Sequence, residues 1–227
     1  MEMKAAVLYE PNKPMVVETI DIDEPREGEV LVRIVAAGVC YSDYHIMIGE
    51  WSWPLPVVLG HEGAGVVERV GPGVTRMEPG QTVILNFRAN CGTCHYCIIG
   101  RPVLCDGVTA PRHTLFDGSS RLSKDGQTIH HMARTSCFAE YAVVPESGAV
   151  PVRADMPLDK GCLVGCAVMT GVGSVINTAR IEAGSSVAVI GCGGVGLNAV
   201  QGAVLAGAGR IIAVDLLDNK LDYAREF

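Results

Sequence analysis

The sequence predicts an α/β chain in which a barrel-type β domain is followed by a βαβ unit, and three observations lead to this prediction. Short apolar runs separated by Gly and Pro extend as far as Val152, which is typical of a β-barrel or sandwich. From Pro157 onward, small apolar residues favour helix. A buried run, a glycine-rich turn, an apolar helix and a second buried run then follow. We therefore predict two domains, at residues 1–167 and 168–227.

Apolar or alternating runs between turn residues mark the strands of the first domain. Turns are indicated by Pro11-Asn12, Gly71-Pro72-Gly73 and Pro79-Gly80. Residues 106–136 are polar and contain glycine, so we expect a long surface excursion there rather than a further domain. The predicted strands lie at residues 5–8, 15–20, 29–35, 65–70, 82–85 and 138–144.

Composition argues against several classes of protein. The 227 residues carry a formal charge of −7 without a cluster of Lys or Arg, which argues against nucleic acid and anionic membranes as partners. The apolar stretch 187–214 is long enough to span a bilayer, but its clustered glycines would break a spanning helix. Nine cysteines without a signal-type start indicate metal binding rather than disulfides. We expect a cytoplasmic protein.

The stretch from Cys40 to Glu62 contains the first candidate metal site. A thiolate and an imidazole suit Zn²⁺, and a catalytic zinc takes three protein ligands and keeps one position open. Cys40 and His61 are two candidate ligands, and we select Cys166 as the third. A single cysteine or histidine is more often a buried structural residue than a ligand, so this assignment depends on the motifs that follow.

Two polar side chains after the first candidate ligand are placed to move a proton. Ser42 lies two positions past Cys40, within reach of an oxygen at the metal. His45 lies three positions further along, near enough to pass the proton onward. We therefore predict that Ser42 and His45 form a proton relay.

A second and stronger metal signature follows in the middle of the chain. Three cysteines at every third position force a tight loop in which the sulfurs converge, and a fourth closes a tetrahedral site. Cysteines this close together in one loop pair poorly as disulfides. Because four thiolates leave no open position, we predict a structural zinc rather than a catalytic one. The ligands are Cys91, Cys94, Cys97 and Cys105.

A glycine fingerprint links the two buried runs of the second domain. Gly191 allows the tight turn, Gly193 lets the backbone approach a pyrophosphate, and Gly196 permits close packing of helix on strand. Asp215 ends the next strand, where a carboxylate accepts hydrogen bonds from a ribose diol and repels a 2′-phosphate. NAD is therefore predicted in preference to NADP. The predicted contact run is Gly191, Gly193, Gly194, Val195 and Gly196.

With these motifs in place, the chain resembles the zinc-dependent medium-chain alcohol dehydrogenases along essentially its whole length. The Gly60-His61-Glu62 run, with glycines at the following spacings, is similar to that family's zinc signature, and the four loop cysteines match its structural-zinc lobe. The excursion with Asp117-Gly118 and His130-His131 resembles the longer-looped branch, which includes liver-type and glutathione-dependent formaldehyde enzymes. The resemblance implies a GroES-like catalytic barrel followed by the first part of a Rossmann domain.

The resemblance also implies roles for individual residues. It implies Cys40, His61 and Cys166 as catalytic zinc ligands, Glu62 as a carboxylate that swings onto the metal, and Asp43 as the group that orients His61. Tyr41 is a departure, because family members often place a basic residue there near the pyrophosphate. The resemblance further places Lys220 near the adenosine ribose, and in the substrate pocket Trp51, Phe87, Met132 and Ala133.

The function implied is transfer of a hydride between a primary alcohol, or its aldehyde, and NAD, with two Zn²⁺ per chain. One alternative is a dehydrogenase of S-(hydroxymethyl) thiol adducts, which would need a basic pocket, whereas the pocket positions above are apolar. Another is a zinc-binding fragment without catalysis.

The length of the chain is the larger departure from the family. Family chains continue past Phe227, so we expect an N-terminal piece of a longer, homo-oligomeric enzyme. We expect the isolated chain to associate through its apolar strand edges and to show no turnover.

Overall fold

Apolar strands at short intervals build the first of two units, Met1–Gly165, and a βαβ arrangement builds the second, Cys166–Phe227. The computed structural model describes residues 1–227. The strands are β1 Glu2–Leu8, β2 Val16–Ile22, β3 Glu29–Gly38, β4 Val57–Val58, β5 Glu62–Val70, β6 Thr82–Leu85, β7 Leu122–Lys124, β8 Gln127–His131, β9 Tyr141–Pro145, β10 Ala149–Pro151, β11 Ser186–Ile190 and β12 Arg210–Val214. The helices are α1 Tyr41–Met47, α2 His95–Ile98, α3 Leu158–Gly161, α4 Ala167–Gly173, α5 Gly194–Leu205 and α6 Asp218–Glu226.

The first unit contains a closed barrel and a five-stranded sheet. The barrel has the strand order β1-β2-β7-β8-β4, and closing a sheet in this way removes its exposed edges. The sheet has the order β10-β6-β5-β3-β9, so the long strand β3 pairs with both β5 and β9. The barrel-type β domain predicted from the short apolar runs is confirmed.

Strand β3 carries the chain from the barrel to the candidate metal site. It is antiparallel to β5, with irregularities in register between Leu31 and Val32 and between Ile34 and Ala36. Its alternate apolar residues enter two cores: Leu31 packs inside the barrel, and Val30 and Val32 pack on the other side of the sheet. The strand ends at Gly38, two residues before the first candidate ligand.

The prediction that residues 106–136 form a surface excursion is wrong in one respect. The segment supplies β7 and β8, which complete the closed barrel. Leu115, Leu122 and Ile129 from this segment are buried in the barrel core. The polar residues that suggested a loop form only the turns, as in the tight hairpin where Lys124 pairs with Gln127.

A buried ion pair attaches this segment to the start of β3. Arg121, which is only 1% exposed, donates from Nε and Nη2 to the two carboxylate oxygens of Glu29, at 2.9 and 2.6 Å. Nη2 also donates to Asp117, at 2.8 Å. A buried guanidinium needs such partners, because removing it from water costs several kcal/mol when it is left unpaired. The pair therefore fixes the position of the segment relative to the central sheet.

In the second unit, β11 and β12 pair in parallel across α5, as the glycine fingerprint predicted. The predicted helical stretch 159–179 is divided into α3, a 3₁₀ turn, α4 and a π-helical turn. The apolar stretch 187–214 is a strand, a helix and a strand.

None of the individual helices has both the length and the apolar composition needed to cross a membrane. One bent pair of helices, Leu158–Gly165 with Ala167–Ala179, meets these two criteria, by length and composition alone.

The two adjacent histidines of β8 lie in different environments. His131 is fully buried, its Nε2 accepts the backbone N–H of Arg121 at 3.2 Å, and its Nδ1 has no partner. His130 is only partly buried. Burial, assisted by the positive charge of Arg121, lowers the pKa of His131 to about 3. His131 is therefore neutral in the folded protein.

This burial predicts a pH-dependent stability. Between about pH 6.5 and the folded pKa of about 3, the unfolded chain binds a proton at His131 that the folded chain does not. The free energy of unfolding therefore falls as the pH is lowered through that window. We expect His131→Gln to flatten this dependence by up to about 1.4 kcal/mol per pH unit, measured by urea unfolding between about pH 5 and 7. Parallel curves for the two proteins would contradict this.

Candidate functional site

The first candidate metal site is organised by the carboxylate of Asp43, which is 0% exposed. Oδ2 accepts the backbone N–H of Cys40 at 3.0 Å, and this contact caps the first turn of α1. Oδ1 accepts the backbone N–H of Gly60 at 2.9 Å and the Nδ1–H of His61 at 3.3 Å. One carboxylate thus connects the start of α1 to the entry of β5.

This contact settles which nitrogen of His61 faces the candidate site. Because Nδ1 donates to Asp43, Nε2 is left as the potential metal ligand. Burial by itself would lower the pKa of His61, but hydrogen bonds with Asp43 and Cys40 outweigh burial and raise it to about 9. The ring is 3% exposed and meets Phe87 edge to face, with the ring centroids 5.5 Å apart.

Cys40, His61 and Glu62 come together in the first unit, with their ligand-type atoms within 4.8 Å of one another. Space for the buried Glu62 side chain depends on Gly38, where a Cβ would lie 2.2 Å from Glu62 Oε2. Gly60, with φ of +91°, makes the turn into β5, and a Cβ there would meet Phe138 at 2.6 Å. The sequence brings ligands of the types that zinc prefers to one place.

Cys166 is the third ligand predicted from the sequence, and its assignment remains a prediction. It is the first residue of the second unit and precedes α4 directly. Its neighbour Gly165 packs closely on β6, because a Cβ there would lie 2.4 Å from the Leu85 carbonyl oxygen.

The predicted proton relay lies on α1. Ser42 and His45 are three positions apart and so share one face of the helix, and both side chains are half-buried. His45 Nδ1 pairs with the carboxylate of Glu50, which leaves Nε2 available for proton exchange. Its ring stacks on Trp51, with centroids 4.8 Å apart and planes 17° apart. Tyr41, in the position where the family often has a basic residue, is exposed and contacts the His45 ring edge-on.

The four residues predicted for the substrate pocket separate into two groups. Met132 and Ala133 are buried in an apolar cluster with Leu59, and Phe87 packs against the same cluster. Trp51 is 48% exposed and lies against His45 instead. The pocket assignment of all four remains a prediction.

The second metal signature forms a compact group of four sulfurs. Four thiolates at about 2.3 Å from one zinc ion lie about 3.8 Å apart. The Cys94–Cys97 and Cys105–Cys91 sulfur distances are 3.5 and 3.6 Å. The Cys94–Cys105 and Cys91–Cys97 distances are 3.9 and 4.0 Å. These spacings fit a tetrahedral metal site and are far longer than the disulfide bond of about 2.05 Å.

The electrostatics of this group also suit a cation. Backbone N–H groups of Thr93 and Cys94 lower the pKa of Cys91 to about 6, so its thiolate is favoured. Burial, followed by the hydrogen bond with Cys94, raises the pKa of Cys97 to about 12. The Cys91 sulfur is thus favoured as a thiolate, whereas the Cys97 thiol resists ionisation. A cation that binds all four sulfurs would therefore displace the remaining protons.

The glycine-rich turn leaves open space at the start of α5. At Gly196 a Cβ would lie 1.7 Å from the Gly191 carbonyl oxygen, so the helix packs directly on the turn. At Gly193 and Gly194 nothing lies within 4 Å of the position that a Cβ would take. A side chain there would occupy the space that a pyrophosphate needs over the helix N-terminus.

Asp215 ends β12 beside this turn. Its Oδ2 accepts the Cys192 N–H at 2.7 Å, and its Oδ1 accepts the Leu217 N–H at 3.1 Å. These backbone contacts, from Cys192 first and Leu217 second, lower the pKa of Asp215, and Lys220 lowers it further. The carboxylate is therefore charged and held in place, as recognition of a ribose diol requires.

Sequence reasoning missed three residues around the first site. Glu50 pairs with His45, and the only available signal was its position five residues along the chain. Thr135 donates from Oγ1 to the Gly60 carbonyl oxygen at 3.1 Å and so supports the turn beside His61. Arg134, with φ of +65°, is one of three non-glycine residues between positions 133 and 136 in the left-handed region.

Comparison with known proteins gives a consistent result. The alcohol dehydrogenase GroES-like domain matches residues 26–154, more than half of the chain. An alcohol dehydrogenase zinc-binding domain protein from Burkholderia ambifaria is 39% identical with a TM-score of 0.94, and the match covers 100% of this chain and 62% of that chain.

Two further solved structures are similar. Benzyl alcohol dehydrogenase from Acinetobacter calcoaceticus is 33% identical with a TM-score of 0.92, covering 100% of this chain and 62% of that chain. Acetophenone reductase from Geotrichum candidum, in complex with NAD, is 29% identical with a TM-score of 0.80, covering 100% and 61%. The chain thus spans about three fifths of the length of these structures.

The position of Asp43 predicts a selective effect on metal binding. Asp43→Asn keeps the side-chain shape but removes the charge that orients His61. We expect zinc affinity at the Cys40–His61 group to fall by about 10- to 100-fold. The four-cysteine group should keep its affinity, as measured by competition with a chromophoric chelator. Cys97→Ser is the matched control, which should weaken only the other class of site. Equal weakening of both classes by Asp43→Asn would indicate general unfolding instead.

Proposed function

The chain belongs to the zinc-type alcohol dehydrogenase family, and from this membership we propose that it serves hydride transfer between a primary alcohol, or its aldehyde, and NAD. The observation that carries the proposal is the set of Cys40, His61 and Glu62 arranged around the buried Asp43 carboxylate. We assign Cys166 as the third zinc ligand, with Glu62 as an alternative carboxylate ligand. The chain spans only part of the length of its relatives. The activity is therefore proposed for the protein that contains this chain.

The residues of the first site would each have a distinct task. A zinc ion held by them would supply Lewis acidity toward the alcohol oxygen, while NAD would accept the hydride. Asp43 holds the His61 ring so that Nε2 faces the site, and it fixes Cys40 through its backbone N–H. Phe87 lies edge-on to the His61 ring and limits access of water from that side.

Proton movement is assigned to α1. The hydroxyl of Ser42 would take the proton that the alcohol loses and pass it toward Nε2 of His45. Glu50, by accepting from Nδ1, fixes the tautomer in which Nε2 is the accepting nitrogen. The ring of Trp51 holds the imidazole in place from one face.

The four-cysteine group is proposed as a second, structural zinc site, which gives two zinc ions per chain. Four thiolates close the coordination sphere, so this site would contribute to folding rather than to the reaction. The two strands supplied by residues 106–136 are consistent with membership of the longer-looped branch.

NAD is proposed as the cofactor on the geometry of the second unit. The open space over Gly193 and Gly194 suits a pyrophosphate, and the charged Asp215 suits an unmodified ribose. Val195 and Lys220 are assigned to the same site. We also propose a cytoplasmic location, in keeping with nine cysteines that form no disulfide. A homo-oligomer is proposed on the family resemblance alone.

The proposed activity is tested with benzyl alcohol and NAD, using the protein that carries this chain. We expect alcohol-dependent NADH formation, followed by absorbance, in the wild type. Cys40→Ser should reduce it to background, because a zinc ligand is lost. Chelator treatment should remove wild-type activity and zinc should restore it, whereas zinc should not restore the variant. Full activity of Cys40→Ser would exclude the assigned site.

Cofactor choice is tested at Asp215. The variant Asp215→Ser removes the carboxylate that repels a 2′-phosphate, so the ratio of kcat/KM for NADP over NAD should rise by about tenfold or more. Asp218→Ser, on the exposed start of α6, is a matched control that removes a carboxylate three residues away. If the ratio stays the same in Asp215→Ser, another residue decides between the two cofactors.

A further inference from the structure

Three arginines beside the predicted substrate pocket form a group that we call the arginine cluster, Arg88, Arg112 and Arg134. Arg88 directly follows Phe87 in the chain, and Arg134 directly follows Ala133. The Arg112 guanidinium carbon lies over the Phe87 ring, 5.9 Å from its centroid. A single aromatic ring, that of Phe87, therefore separates this guanidinium from the candidate ligand His61.

None of the three guanidinium groups forms an ion pair with a carboxylate. Arg88 donates only to the carbonyl oxygen of Val103, from Nε at 3.2 Å and also from Nη2. Arg134, which is 6% exposed, donates from Nη2 to the Ala110 carbonyl oxygen at 2.6 Å. Its buried Nε has no hydrogen-bond partner, which costs free energy for a charged donor.

No Asp or Glu is among the groups that shift the pKa of Arg112 or Arg134. Burial and then the proximity of Arg88 lower the pKa of Arg112, and burial followed by Arg112 and Arg88 lowers the pKa of Arg134. Cys105, from the four-cysteine group, acts in the other direction and raises the pKa of Arg134.

We propose that the arginine cluster binds an anionic group on the substrate, so that the alcohol carries a carboxylate at the end remote from its hydroxyl. Guanidinium groups bind carboxylates through paired hydrogen bonds, and an anion would supply the missing counter-charge. This inference rests on the proposed function, because it names the substrate class of that site. The proposal places basic side chains next in sequence to Phe87 and Ala133, although Phe87 and Ala133 are themselves apolar.

Direct binding tests the cluster without requiring turnover. Using the protein that carries this chain, calorimetry would compare 4-(hydroxymethyl)benzoate with its neutral isostere 4-(hydroxymethyl)benzamide. We expect the carboxylate to bind about tenfold more tightly at low ionic strength, with a smaller difference in high salt. Equal affinity for the two compounds in the wild type would overturn the proposal.

Variants identify the residue responsible. Arg112→Gln should reduce the preference for the carboxylate to about twofold or less, and Arg112→Lys should keep part of it. Arg88→Gln is a second variant with the same expected direction. Arg153→Gln, at an exposed arginine that pairs with Asp155, is the matched control and should keep the preference. An unchanged preference in both Arg112→Gln and Arg88→Gln would overturn the proposal.

Two further measurements separate the possible outcomes. If inorganic phosphate competes with 4-(hydroxymethyl)benzoate and binds more tightly, the cluster serves free anions, and the assignment to a substrate carboxylate is wrong. The ratio of kcat/KM for the carboxylate over the carboxamide should follow the binding preference. A carboxylate preference in binding without turnover of either alcohol would support the cluster and count against the proposed hydride transfer alone.

Discussion

The carboxylate of Asp43 is the constraint on which the first site depends. A charged group that is 0% exposed is tolerated only when donors surround it, and here three N–H groups converge on its two oxygens. Those donors come from Cys40 at the start of α1 and from the Gly60–His61 turn before β5. The helix must therefore begin where it does, and the strand must be entered at Gly60. Two candidate ligands twenty-one positions apart are thereby held together before any metal binds.

The sequence was sufficient for the parts of the site whose chemistry is rare. Cysteines at three-residue spacing are typical of a metal site, and their four sulfurs do converge. A glycine turn between two buried runs is typical of a βαβ unit, and that unit forms as predicted. Arg121 and Glu29 could not be found in this way, because they meet across 92 positions and their residue types are ordinary on surfaces. Strands β7 and β8 were also not predicted, because they are only three and five residues long and lie between polar turns.

The buried Arg121–Glu29 pair and the Asp43 contacts act at opposite ends of the same strand. Glu29 is the first residue of β3, and Cys40 follows two residues after its last. The chain between them is therefore anchored by a carboxylate at each end, one bound to a guanidinium and one to N–H groups. Movement of the 106–136 segment would strain the first pair, and movement of α1 would strain the second. Strand β3 thus fixes the barrel relative to the site within the first unit.

The two cysteine-containing groups offer similar types of ligand but are proposed to serve different purposes, and the difference between them lies in their surroundings. The four-cysteine group is closed by its own sulfurs at 3.5–4.0 Å and receives N–H groups from its own loop, so its geometry is local. The group at Cys40 and His61 mixes thiol, imidazole and carboxylate, and its geometry depends on Asp43 and on the space beside Gly38. As proposed, the second group would hold zinc with three protein ligands and keep one position open, which four thiolates do not. Under the proposed function the alcohol oxygen would therefore bind beside His61, where Phe87 also connects the site to the arginine cluster.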